Sequence, residues 1–416
     1  VSGPADGLRA VTRVADLDPG EPPDGAAPTA FISPRRALWG TGCALRIEVP
    51  APWVEHVGIV AEELGAIEVV DEVRTPGSGP VAFGALPFDR DAAATLVVPR
   101  VVHGRTAEGT LWRTELHRLD TSAAMAEDSH VTPSGAPDAP PPDTGRVTVS
   151  SVRTPAEFCE AVVAATARIT AGELTKVVLA RELVVELQAT VDVAALLRRL
   201  RGLHPAAMCF AVDGFVGASP ELLVSRVGEV VRAQPMAGTT ARTGDPDADQ
   251  RRASELLGST KNRVEHQITI DMVHDTLLPF CSYLDAEPSP SVVAAGPVQH
   301  LATMVEGRLS RPTPPVLDLV AALHPTPAVG GWPRAEALRV IASLEGADRG
   351  RYAGPVGWTD AGGNGAFAVG IRSVELDGDR ARLFAGVGVV ADSDPLAELE
   401  ETRAKAQSLL GALVRV

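Results

Sequence analysis

Three charged residues near the C-terminus, Glu398, Glu401 and Lys405, lie three and four positions apart, a spacing that stacks them on one face of a helix. Such a face is either solvated, with an ordinary Glu–Lys pair, or a place where carboxylates hold a metal beside a cation for an anionic ligand. The segment before it, Ala385-Gly386-Val387-Gly388-Val389, reads as a strand punctuated by glycine, which lets a ligand approach the backbone closely. A second candidate is Glu265-His266 within Lys261-Asn-Arg-Val-Glu265-His266. Adjacent helical residues point about 100° apart, so only one of the two faces any given site. A plain charged helix surface is the simpler alternative.

Four further residues carry chemistry only if they are buried. Lys176 opens an otherwise apolar strand, where a lysine is either a solvent anchor or, once desolvated, a potential base. Glu221 follows Gly217-Ala-Ser-Pro at the mouth of a strand, a position equally suited to an exposed turn carboxylate. Arg372 shares a strand face with Ala366, Ala368 and Gly370 in the expected alternation. Those small neighbours leave room for a carboxylate beneath the guanidinium. His300 reads by default as a hydrogen-bonded core histidine.

The elements that position these residues follow from periodicity and caps. Helices are expected over Pro155–Ala171, Ala253–Leu278, Arg334–Leu344 and from Pro395 to about Val414, the last opened by the Ser393-Asp394 cap before proline. Strands are expected over Lys176–Leu187, Met208–Val212, Leu222–Val227, Glu229–Gln234, Gly365–Leu376 and Arg380–Val390. Asp213-Gly214, Val227-Gly228, Gly362-Gly363-Asn364-Gly365 and Asp377-Gly378 supply the turns. Antiparallel hairpins interrupted by long helices point to an α+β fold. Residues 14–28 and 126–147 are rich in Pro, Gly, Asp and Ser and read as loops, the second a flexible linker between an N-terminal lobe (29–125) and a larger part (148–416).

Composition narrows the function classes. The 416 residues carry a formal charge of −15, which repels phosphate backbones and anionic membranes, so neither nucleic acid nor a membrane is an expected partner. An anionic ligand would need its cations concentrated in one pocket. Four dispersed cysteines without a C-x-x-C pair argue against a disulfide framework or zinc ribbon. No apolar run reaches the roughly 20 residues that span a bilayer, and no signal peptide is visible, so a cytoplasmic location is expected. No dinucleotide or nucleotide-triphosphate loop occurs between a strand and a helix.

An ordered set of motifs goes further. Lys176-Val-Val-Leu-Ala-Arg181, Gly217-Ala-Ser-Pro-Glu221, Pro235-Met-Ala-Gly-Thr239 and Lys261-Asn-Arg-Val-Glu265-His266 come first. Val298-Gln-His-Leu301, Leu323-His-Pro-Thr-Pro-Ala328, Tyr352-Ala-Gly-Pro-Val-Gly357, Gly370-Ile-Arg372 and Gly386-Val-Gly388 with Glu398-Leu-Glu-Glu401 follow. From about Glu157 to Leu413, and more weakly around Phe31 to Ala44, the chain resembles the chorismate-utilising enzyme family. That family includes isochorismate, salicylate, anthranilate and aminodeoxychorismate synthases.

The resemblance implies one large α+β domain of packed, mostly antiparallel sheets with helices outside, acting on chorismate with Mg²⁺ as a monomer, with a dimer the alternative. It implies metal ligation by Glu265 and Glu401 with Glu398 nearby, and a substrate pocket lined by Gly238, Thr239, His300, Ala328, Tyr352, Arg372, Gly386, Gly388 and Lys405. Lys176 matches the lysine that activates water in isochorismate and salicylate synthases, and Glu221 would return a proton to the departing hydroxyl. Ala237 departs from the covalent lysine of many aminodeoxychorismate synthases, and no glutaminase elbow is present. Ala328 stands where members that eliminate pyruvate usually carry threonine. The implied activity is therefore isochorismate synthase, with salicylate synthase second.

Overall fold

Tight turns with left-handed residues turn apolar runs back on themselves. Asp213 and Gly214 (φ 46° and 77°) join Met208–Val212 to Phe215–Ser219, and Asp377-Gly378 leads Ser373–Asp377 into Arg380–Val389. The structure, a computed structural model, describes residues 5–16, 22, 27–119 and 147–414. The expected linker 126–147 lies outside the described residues except for Val147, as does most of the loop expected over 14–28.

Among the described residues the strands assemble into sheets of thirteen, nine and three strands. Pairing is antiparallel throughout except between Leu8–Val14 and Glu68–Asp71. This is the α+β architecture expected. Strands from the two ends of the chain share both large sheets: Thr29–Ile32 pairs with Met208–Val212, and Val81–Ala85 pairs with Pro355–Asp360. Aromatic side chains from both sheets, Phe31 and Phe210 from one and Phe83 and Trp358 from the other, are buried in a common cluster. Burying such a side chain is worth about 1.5–3 kcal/mol, so this cluster holds the sheets face to face.

Helices cover the outside. The last helix, Pro395–Leu413, begins where the Asp394 side chain accepts the Ala397 N–H at 2.8 Å, with proline in its first turn. Its buried Leu409 and Leu413 join Leu196, Leu200, Leu383 and Ala385 in one apolar cluster, which docks it on the strand Arg380–Val389. No helix among the described residues is long and apolar enough to cross a membrane.

Two expected elements are divided. The helix expected over Ala253–Leu278 is two helices, Pro246–Gly258 and Thr260–Leu277. Ser259 takes an extended conformation and caps the second helix by accepting the Asn262 N–H, a local bond that competes with helix continuation. The strand expected over Gly365–Leu376 is likewise two. Gly365–Val369 belongs to the nine-stranded sheet and Ser373–Asp377 to the thirteen-stranded one, so the chain changes sheets at residues 370–372. Arg372 therefore does not continue the strand face of Ala366 and Ala368. It sits in the crossing with φ 53°, a backbone region that non-glycine residues rarely adopt and that recurs at functional sites.

Candidate active site

Lys176 is the first residue of the strand Lys176–Glu186, which runs antiparallel to Arg380–Val389 and sets Val178 opposite Gly388 and Ala180 opposite Gly386. The missing side chain at Gly388 is what admits the lysine. A Cβ there would lie 2.9 Å from Lys176 Cε and 3.2 Å from Glu265 Oε1. Lys176 is 2% exposed, so the solvent-anchor alternative fails. Its Nζ lies 2.7 Å from Glu265 Oε1, delivered by the second turn of the helix Thr260–Leu277. Neighbouring His266 turns away and bonds Thr303 Oγ1 at 2.8 Å through Nε2, so only one of the adjacent pair faces the site.

Glu221 leaves the strand Phe215–Ser219 through Pro220 and is 3% exposed. Burial pushes its carboxyl up to about 8, against a backbone hydrogen bond from Met236 and the positive charges of Lys176 and Arg372. It therefore carries its proton at neutral pH. Tyr352 is also buried, and burial raises its phenol further, so it too keeps its proton.

On another wall, a short polar chain holds Arg372. The Thr239 hydroxyl lies 3.1 Å from His300 Nδ1, the Gly238 carbonyl 3.3 Å from the same nitrogen, and Arg372 Nη2 3.4 Å from Nε2. Gly238 reaches this arrangement with φ 76°, a conformation open to glycine. Burial, then Arg372 and Lys405, keep His300 far below the usual histidine range. A neutral ring donates from Nδ1 and accepts the arginine N–H at Nε2. His300 is thus a hydrogen-bonded core histidine that also orients Arg372. Arg372 Nε is buried and has no protein partner, a donor directed to something other than the protein.

These groups enclose one cavity of about 600 Å³ including its open mouth. Lys176, Glu221, Gly238, Thr239, His300, Ala328, Tyr352, Arg372, Gly386, Gly388 and Lys405, every residue expected for catalysis or substrate binding, line it together with Glu265. The expected metal residues Glu398 and Glu401 do not line it. Sequence reasoning missed the apolar walls Val178, Pro220, Met236, Val329 and Ile371. Val178, Pro220, Met236 and Ile371 stood inside quoted motifs, whereas Val329 lay just beyond the one ending at Ala328. Lys261, quoted with the Glu265 motif, pairs with Asp392 at 2.8 Å and lies outside the cavity lining.

The carboxylates beside the cavity attract cations. Glu401 Oε1 holds Lys405 Nζ at 2.5 Å, and the same ammonium donates to the Gly386 carbonyl at 2.9 Å. Burial raises Glu398 to about 7, with Glu401 adding to the rise and Ser393, Lys405 and Lys261 opposing it. Among the described residues no three His, Cys, Asp or Glu side chains converge closely enough to hold a metal by themselves. An oxygen-only set in which like charges crowd one another still fits Mg²⁺, which takes one or two carboxylates and completes its shell from water and substrate.

Known proteins resemble this chain along most of its length. A family model described as chorismate binding enzyme matches residues 33–414. The isochorismate synthase DhbC of Bacillus subtilis is 38% identical over 358 residues, covering 83% of this chain and 84% of that protein. The isochorismate synthase EntC of Escherichia coli is 32% identical, covering 91% of this chain and 93% of that protein. In fold, the chain matches the solved structure of the menaquinone-specific isochorismate synthase MenF from Escherichia coli, with a TM-score of 0.80, 24% identity and coverage of 98% and 95%. The chain belongs to the chorismate binding enzyme family.

Proposed function

We propose that this protein is an isochorismate synthase, converting chorismate to isochorismate by attack of water at ring carbon C2 and loss of the C4 hydroxyl. The observation that carries this reading is the pairing, in one cavity, of a buried amine, Lys176, with a buried carboxyl that keeps its proton, Glu221. A base and an acid on one substrate are what the exchange of hydroxyl positions requires.

Lys176 takes a proton from the attacking water, and Glu221 gives its proton to the departing C4 hydroxyl as the ring double bonds shift. Arg372, with its unpartnered Nε, and Tyr352 bind substrate carboxylates, and Lys405 adds a further cation. Glu265 meets Lys176 through Oε1, and a carboxylate has lone pairs enough to accept from an ammonium and face a metal at once. Glu265 and Glu401, with Glu398 nearby, are the residues that would hold Mg²⁺. Bound there, the ion would neutralise and orient a substrate carboxylate.

Purified protein incubated with chorismate and Mg²⁺ should give isochorismate by chromatography, and EDTA should abolish it. Salicylate with pyruvate as the enzymatic products would support a salicylate synthase instead. The alkaline limb of the pH profile follows from Glu221. Its protonated form is the active one, so kcat should fall above about pH 8. The proton is bound more tightly in the folded state than in the unfolded one. Its contribution to stability is therefore present at low pH and lost as pH rises through about 8.

Gly388→Ala tests the approach of Lys176. The added methyl meets the flexible end of the lysine rather than backbone, so the fold should survive with little change in melting temperature. Displacing the base should lower kcat by about tenfold or more.

A further inference from the structure

The strand that carries Lys176 lacks a partner on one edge where it most needs one. Along one side it is paired without interruption from Val177 to Glu186 with Val389 to Arg380. On the other side only its ends are paired, Lys176 and Val177 with Trp332 and Gly331, and Leu183 to Glu186 with Ser151 to Thr148. Between them the Val178 N–H still donates to the Gly330 carbonyl at 2.9 Å, and the stretch from the Val178 carbonyl to the Ala180 N–H has no partner strand.

A buried ion pair occupies that stretch. Glu345, the last residue of the helix Arg334–Glu345, accepts the Ala180 N–H at 2.8 Å through Oε1. Arg349 donates from Nη2 to the Val178 carbonyl at 2.8 Å and from Nη1 to the Val329 carbonyl at 2.9 Å. The two side chains grip each other through Arg349 Nε and Nη2, with Nε to Glu345 Oε2 at 2.8 Å. They are 5% and 2% exposed, and the guanidinium carbon lies 4.3 Å from the centre of the Phe88 ring. Beyond the pair, the Arg349 carbonyl accepts the Tyr352 N–H at 3.0 Å. Val178, Val329 and Tyr352 all line the cavity.

A buried ion pair is a poor source of stability, because desolvating two charges costs about what their attraction returns. What this one supplies is direction. A planar guanidinium and a carboxylate take the place of a missing strand, and they tie the Lys176 strand to the Val329 wall and the Tyr352 loop. Resting on the isochorismate synthase reading, we propose that Glu345 and Arg349 are positioning residues. Their pair sets the height of Lys176 against the substrate while touching neither substrate nor metal ligand.

The test is steady-state kinetics on two variants. Glu345→Leu combined with Arg349→Met removes both charges at similar volume, and Arg349→Lys keeps the charge but cannot span three acceptors. Both should lower kcat, the double variant by about 10- to 100-fold and the lysine variant less. KM for chorismate should change less than about threefold, because the anion-binding groups stay in place. If the double variant does not fold, Arg349→Lys decides alone. A kcat within about twofold of wild type in every folded variant, or a rise in KM with kcat unchanged, overturns the proposal. Wild-type protein that makes no isochorismate in the same assay counts instead against the functional reading on which it rests.

Discussion

Lys176→Ala should lower kcat for isochorismate formation by about 10²–10⁴-fold, the range of a lost general base. The expectation rests on placement. The amine is almost wholly buried, held against Glu265 and seated over the bare Cα of Gly388. Lys405, the other lysine lining the cavity, is engaged by Glu401 and the Gly386 carbonyl. KM for chorismate should move far less than kcat, since Arg372 and Tyr352 remain. Lys176→Met, which fills the space the alanine leaves, separates lost chemistry from lost packing. Both variants should be equally inactive, and the methionine form should melt closer to wild type. Turnover near wild type in either would remove Lys176 from the mechanism.

Glu221→Gln should cost a comparable factor by a different route. Glutamine keeps the shape and can still accept the Met236 backbone hydrogen bond, so the fold has little to lose. It cannot release a proton to the leaving hydroxyl. The residual rate should also lose its alkaline limb near pH 8, because the group that titrates there is gone. A variant that keeps the wild-type profile at near-normal rate would place the acid elsewhere.

Local chemistry was legible in the sequence. The Asp394-Pro395 helix start and the Asp377-Gly378 hairpin depend on neighbouring residues alone, and both appear where their residues require. The break at Ser259 was hidden because a serine cap and a helix interior share one apolar pattern, and only the capping bond decides between them. The sheet change at residues 370–372 was hidden for a deeper reason. Period-two alternation reports which residues share a face, not which sheet they belong to. That is why Arg372 was placed with Ala366 and Ala368, although the crossing is what delivers it to the cavity.

The site was legible mainly through resemblance. Lys176, Glu221 and Glu265 each had an ordinary alternative as a surface charge, and spacing could not bring together residues as far apart as Lys176 and Lys405. Glu345 and Arg349 drew no notice because an i,i+4 charge pair is unremarkable until its burial is seen. The overall charge of −15 and a dianionic substrate are reconciled locally: Lys176, Arg372 and Lys405 all face one cavity, while carboxylates beside it offset them.

In the proposed reaction, water activated beside Lys176 attacks C2 of chorismate. Running the reaction in oxygen-18 water and analysing isochorismate by mass spectrometry tests it most directly. One heavy oxygen is expected in the product, located in the C2 hydroxyl, with formation dependent on Mg²⁺ and on Lys176. Isochorismate formed without the label, its hydroxyl carried over from C4, would contradict it.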